Sequence, residues 1–253
     1  MTPITLMYHG IIQEDSDIPK EREVGADIYD VALAEFRKQI RWLHENAFRS
    51  VIFNGQSFDP KELMITFDDG EANNFNRALP VLNEYGYKAY FFVIAKRVDR
   101  DGYMDWDQLK KLHEAGHVIG SHGHTHEILT NLKPTQIEQE LKASKKFFER
   151  NLGIPVETMS IPRGFCNDQI LKMAYDTGYQ QVFISDPMGR IHQPYISRVA
   201  VKKSWQLERF HMAMEGKMPF KERFSNTVIK SAKFVLRESG YNFFRKMILS
   251  VMK

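Results

Sequence analysis

Leu63-Met64-Ile65-Thr66-Phe67-Asp68-Asp69-Gly70 is a short apolar, β-branched run that stops on two adjacent carboxylates and a glycine. It reads as a buried strand whose last residues present acid groups at an edge. Two like charges held side by side are costly unless a cation or a proton sits between them, so the pair is either used in chemistry or is simply the Asp-Gly start of a turn. A second stretch, residues 117–126 (HVIGSHGHTH), shifts the balance towards chemistry, because it is another apolar run that ends in histidines. One Asp with two His is a ligand set that suits a zinc-like divalent ion with open positions left for water.

Outward from that strand, strand and helix patterns alternate. Residues 4–8 form a first strand ending in His9-Gly10, and residues 11–26 a long polar loop over one end of the fold. Leu33, Phe36, Ile40 and Leu43 recur at helical spacing over residues 32–46. Residues 50–53 give a second strand, and residues 73–85 a helix closed by Gly86. Residues 88–94 (KAYFFVI) form a central strand, followed by a helix capped at Asp105 or Asp107 and a strand over 117–121. A helix over 135–151 stopped by Gly153, a strand over 158–162, a helix over 168–177, and strands over 181–185 and 196–202 complete the series. About seven alternations imply parallel β/α units. The expected fold class is therefore α/β: a distorted (β/α) barrel of about seven parallel strands with a C-terminal helical extension. Residues 1–215 would be the barrel domain and residues 216–253 a basic amphipathic tail. His9, Asp68-Asp69, His122 with His126, and Arg163-Gly164-Phe165 each follow a strand end, which in such a barrel is the one face where sites are built.

With 253 residues, 43% hydrophobic and 26% charged, the chain can bury one large core. Its opening residues lack the pattern of a signal peptide, no apolar run is long enough for a membrane span, and the single Cys166 excludes an intramolecular disulfide. The expected location is the cytoplasm. The net charge of +3 is uneven: from Lys217 onward nine Lys or Arg face Glu222 and Glu238, a local +7 that leaves −4 for the remainder. Phe224, Val228, Val235, Phe243, Phe244, Met247, Ile248 and Val251 recur there at near-helical spacing, with a break at Ser239-Gly240. Such helices either pack across the barrel with a solvated basic face or lie on an anionic membrane surface. The tail lacks a nucleic-acid module, so no nucleic-acid partner is expected.

Thr66-Phe67-Asp68-Asp69-Gly70, the His122-x-x-x-His126 pair after Ile119-Gly120-Ser121, Lys88-Ala89-x-Phe91-Phe92 and Trp106-Asp107-Gln108-Leu109 together resemble the polysaccharide deacetylases, carbohydrate esterase family 4. Met7-Tyr8-His9-Gly10-Ile11 is similar to the branch whose domain opens on a Tyr-His motif, which includes poly-N-acetylglucosamine deacetylases. The resemblance spans about residues 4–202. It implies a distorted (β/α) barrel and metal-dependent hydrolysis of the N-acetyl group of an amino sugar in a glycan, glycolipid or sugar precursor, releasing acetate. Carried over by position, Asp69, His122 and His126 would hold a divalent metal, zinc by preference, and Asp68 would be the general base. An N-acetylated carbohydrate would be the substrate.

His124, between the two paired histidines, is expected outside the ligand set as an outer or surface residue. His113 and His117 flank a helix end and a strand start, where surface or capping roles are expected. Two departures from the family pattern stand out. Where members carry an arginine that orients the base, this chain has Ser160-Ile161-Pro162-Arg163-Gly164-Phe165, with the arginine displaced. Arg163, Gly164 and Phe165 are expected to meet the substrate, with Arg163 an alternative partner for Asp68. Where members place a histidine that protonates the leaving amine, residues 196–201 (ISRVAV) have none. His9 is the expected catalytic acid, and His192 a weaker substitute. These departures leave a catalytically weakened carbohydrate-binding protein as the alternative function. Cys166 has no paired base and is expected to be a small, partly buried residue rather than a nucleophile.

Overall fold

In the computed structural model, which describes residues 4–53, 59–185, 191–192 and 194–217, seven parallel strands close on themselves. They are β1 (Ile4–Tyr8), β2 (Glu62–Phe67), β3 (Tyr90–Val93), β4 (Val118–Ser121), β5 (Thr158–Ser160), β6 (Gln181–Ser185) and β7 (Tyr195–Ala200). Each pairs with the next, and β1 pairs with both β2 and β7, so the ring has no open edge. The fold is the α/β barrel of seven parallel strands that the alternation predicts. β1 and β2 run in register from Ile4↔Leu63 to Tyr8↔Phe67, and the Asp68 amide donates to the Tyr8 carbonyl. His9 and Asp68 therefore leave the barrel at the same level.

The helices form where apolar spacing and caps agree. In α1 (Leu33–Glu45), Phe36, Gln39, Ile40 and Leu43 make one buried stripe. The second helix, α2 (Leu79–Glu84), continues a π-helical stretch, Asn74–Ala78. Next, α3 (Trp106–Glu114) starts at a capping box, the Asp105 side chain accepting from the Gln108 amide at 2.7 Å. Then α4 (Pro134–Leu152) ends at Gly153 with φ 72°, α5 (Asp168–Asp176) is capped by Asn167, and α6 (Leu207–Met214) packs against α1.

Period-two alternation sorts the strand residues into two cores. Leu6, Tyr8, Ile65, Phe67, Phe91 and Val93 face outward into the main core with the helices. Met64, Tyr90, Phe92, Phe183 and Ile196 face inward and form a separate apolar cluster that fills the barrel. Two residues further along, the inward positions turn polar: Thr66 on β2, then Asp68 just past its end, and Arg198 on β7, all buried. The apolar plug thus forms the floor beneath a polar chamber.

Three local expectations change. The strand expected over residues 50–53 shrinks to Arg49–Ser50, because Val51, Ile52 and Phe53 turn in against the barrel cluster and the Phe53 amide bonds to the Tyr90 hydroxyl. The helix expected over 73–85 is π-helical in its first part. His117 is buried rather than at the surface; its Nδ1 accepts from the Ala89 amide at 3.1 Å, and burial, with Lys88 nearby, lowers its pKa to about 4. No helix among the described residues is long and apolar enough to cross a membrane. The helices expected beyond residue 217 lie outside the described residues.

Gly120 faces into the barrel, where an added Cβ would lie 2.5 Å from the Phe92 ring and 2.6 Å from Thr158 Oγ1. Gly120→Ala should lower stability by about 1–3 kcal/mol, the usual range for overpacking a core. Urea unfolding checks this, and an unchanged midpoint would show that the barrel interior has room to spare.

Candidate metal centre

The two acids at the end of β2 diverge because the backbone turns between them. Asp68 continues the inward series Met64, Thr66, Asp68, whereas Asp69 and Gly70 adopt φ 74° and 76°. A left-handed Asp costs on the order of 1 kcal/mol, and the turn sends its carboxylate away from its neighbour's. Gly70 has no alternative, since a Cβ would lie 2.6 Å from Val93 Cγ1. His126 is also left-handed, at φ 69°. Two of the three residues expected to be ligands thus sit on strained backbone.

His122 is the first residue after β4. Its Nδ1 lies 2.9 Å from the Ser160 carbonyl, which can only accept, so Nδ1 carries the hydrogen and Nε2 keeps its lone pair. The same reasoning applies to His126, whose Nδ1 is 2.7 Å from Glu23 Oε1. Both Nε2 atoms then converge on Asp69 Oδ1, each at 3.6 Å. The candidate ligand atoms of Asp69, His122 and His126 all lie within 4.8 Å of one another. Asp69 Oδ1 is buried and has no hydrogen-bond partner. Three lone pairs facing one another without a donor repel unless a cation lies between them, so the donor set fits a divalent ion. Burial, outweighing the nearby carboxylates, lowers the His122 pKa to about 4, which keeps the ring in its neutral, ligand form.

Asp68 is 2% exposed and is paired with Arg198, which is 1% exposed. The pair is bidentate, with Nη1 to Oδ1 at 2.6 Å and Nη2 to Oδ2 at 2.8 Å. The same guanidinium donates to Thr66 Oγ1 at 3.1 Å and Ser160 Oγ at 2.6 Å. Burial, the largest single influence, would raise the Asp68 pKa, but the charge and hydrogen bonds of Arg198 together with the neighbouring histidines outweigh it and hold the carboxyl below the usual range. Arg163 is therefore not the partner of Asp68. It lies on the wall of the pocket above the acids, at φ 55°, with Gly164 beside it. Phe165 is buried and is not part of that wall.

His9 lines the same pocket, stacked on Tyr29 with ring centroids 4.7 Å apart. His124 stays outside the ligand group, its ring edge-on to Phe147. Cys166 is half-buried, and burial pushes its thiol up to about 12, which removes it as a nucleophile. Of His192, only the backbone is described. The residues that sequence reasoning missed are Arg198 and Glu23. Arg198 had a signal: an arginine two residues after Ile196 on a strand of a closed barrel points inward and needs an acid there. Glu23, in a polar loop without periodicity, had none.

Residues 55–182 match the polysaccharide deacetylase family. A provisionally named polysaccharide deacetylase of Bacillus subtilis is 33% identical over 191 residues, covering 72% of this chain and 64% of that protein. The peptidoglycan-N-acetylglucosamine deacetylase of Bacillus cereus is 35% identical over 126 residues, 49% of this chain and 57% of its own length. A crystal structure of a provisionally named polysaccharide deacetylase from Bacillus anthracis superimposes with a TM-score of 0.73 at 25% identity, covering 85% of this chain and 69% of the other. The chain spans less than two thirds of the length of the curated relatives it matches.

Arg198→Met leaves Asp68 buried without its cation and should cost about 3–5 kcal/mol at neutral pH. Asp68→Asn in the same chain should recover part of that loss. Because the folded pKa of Asp68 lies below its ordinary 3.8, the pair stabilises above about that pH and the benefit fades as pH falls further. The penalty of Arg198→Met, followed by urea unfolding, should therefore shrink in acid. A penalty that is small or independent of pH would contradict a buried ion pair.

Proposed function

The chain belongs to the polysaccharide deacetylase family, and on that premise we propose that it removes the acetyl group from an N-acetylated amino sugar by metal-dependent hydrolysis. The observation that carries this reading is the convergence of two histidine Nε2 atoms on a buried, partnerless Asp69 oxygen beside a second, differently held carboxylate. Asp69, His122 and His126 would hold the ion, and zinc suits this mixed nitrogen and oxygen set. Such an ion would supply polarisation of the amide carbonyl and a water whose pKa is lowered towards ~7.

The chain's own residues account for the remaining chemistry. Asp68 takes a proton from the attacking water as its oxygen joins the carbonyl carbon. Arg198 keeps Asp68 ionised for that task, at the cost of weakening it as a base. His9, on the pocket wall, gives a proton to the amine as the carbon–nitrogen bond breaks, so that acetate and a free amino sugar leave. Arg198 also supplies from β7 the guanidinium that Arg163 does not bring to Asp68. The displaced arginine then no longer favours a merely carbohydrate-binding protein. The placement of His9 at the end of β1 supports a reading of Tyr8-His9-Gly10 as the Tyr-His motif of one family branch. Val24, 82% exposed, and Tyr29 give the pocket an apolar margin suited to the C–H face of a sugar ring.

Acetate release from chito-oligosaccharides, lipid-linked sugars and nucleotide sugars, with metal analysis of the same samples, tests the proposal. Asp69→Ala, His122→Ala and His126→Ala should lose metal and activity together. Asp68→Asn should keep the metal while turnover falls by ~10²-fold or more. His9→Ala should lower turnover with little loss of metal. A parent protein without stoichiometric divalent ion and without acetate release would overturn the enzyme reading, and a fully active His9→Ala would remove His9 as the acid.

A further inference from the structure

The two histidines are oriented by different means. His122 donates to a backbone carbonyl, which no substitution of the donor's partner can remove, whereas His126 donates to the side chain of Glu23. Glu23 lies in the loop between β1 and α1, outside the residues that match the family. Its Oε1 also accepts from Arg97, so the carboxylate is fixed from two directions.

The loop holds Glu23 in place through the preceding residue. Arg22 Nη1 reaches Asp30 Oδ1 at 3.0 Å and Glu71 Oε1 at 3.2 Å, and both acids are buried. Glu71 Oε2 accepts from Asn73 at 2.7 Å, and Asn73 Oδ1 accepts from the Ile11 amide at 2.9 Å. Gly10 lets the chain pass this cluster, since a Cβ there would lie 2.6 Å from Asp30 Oδ1. The loop is thus pinned on both sides of the residue that meets His126.

We propose that Glu23 is a positioning residue of the metal centre, fixing the tautomer and ring orientation of His126 so that its Nε2 faces the ion. This inference rests on the metal reading given above. Without an acceptor at Nδ1, no hydrogen bond selects the imidazole tautomer or fixes the ring about its bond to Cβ. A carboxylate partner also makes the imidazole a stronger donor. Outer partners of this kind change metal affinity by about 10- to 100-fold when removed.

The test uses the full chain stripped of metal and titrated with zinc in competition with a chromophoric chelator, with cobalt(II) absorption as a second readout. Glu23→Ala should weaken zinc binding by about 10- to 100-fold and alter the cobalt(II) visible bands, while the melting temperature of the metal-free protein stays close to the parent's. Glu23→Gln, which keeps an oxygen acceptor for Nδ1–H, should restore part of the affinity and guards against misfolding of the Ala variant. Arg22→Gln, which loosens the loop, should weaken zinc binding in the same direction. Zinc affinities of Glu23→Ala and Glu23→Gln both within twofold of a zinc-binding parent would overturn the role of Glu23 and leave the metal centre standing. A parent that binds no zinc would overturn both.

Discussion

The buried pair of Asp68 and Arg198 is the constraint on which the barrel's chamber depends. Neither charge could stay at 1–2% exposure alone, because each would face a desolvation cost of several kcal/mol. Together, with Thr66 and Ser160 accepting further guanidinium hydrogens and only Nε left without a partner, they form a neutral unit that sits directly on the apolar plug of Met64, Phe92, Phe183 and Ile196. The pair also draws three strands together, since Thr66, Ser160 and Arg198 lie on β2, β5 and β7. Its chemical consequence is a division of labour between neighbouring acids. Both oxygens of Asp68 accept from a guanidinium, whereas Asp69 keeps an oxygen with no donor at all.

That division is achieved by one backbone turn. Strand alternation alone would put Asp69 on the outer face, among the helices. The left-handed conformation at Asp69 and Gly70 instead returns it to the chamber, and Met104 and Ala72 fasten the turn by hydrogen bonds to the Gly70 and Gly102 carbonyls. His126 reaches the same point from another left-handed residue. The strain at both positions is local, and the surrounding hydrogen bonds determine it.

Much of this was legible in the sequence because it depends on local pattern. Apolar runs ending at His9, Asp68 and His122 marked strand ends, and glycines at 86, 116, 153 and 178 marked helix ends, all at positive φ. Arg198 was harder to see, because a strand buried on both faces shows little alternation, so an inward arginine looks like any charged residue near a strand end. His117 lies between a helix-ending glycine and a strand, a setting that resembles a surface turn until the neighbouring strand covers it. Glu23 could not be found from its neighbours in sequence, since its role comes from a contact with a residue 103 positions away. Long-range side-chain pairing fixes the finer parts of the site, and a single sequence records it only weakly.

The most direct test is the anomalous diffraction signal at the zinc edge from crystals of the zinc-loaded protein. One peak is expected, bonded at about 2.0–2.2 Å to an Asp69 oxygen and to the Nε2 atoms of His122 and His126, with Asp68 still paired to Arg198. An ion ligated by Asp68 or through an Nδ1 atom, or no peak at this position, would contradict this ligand set.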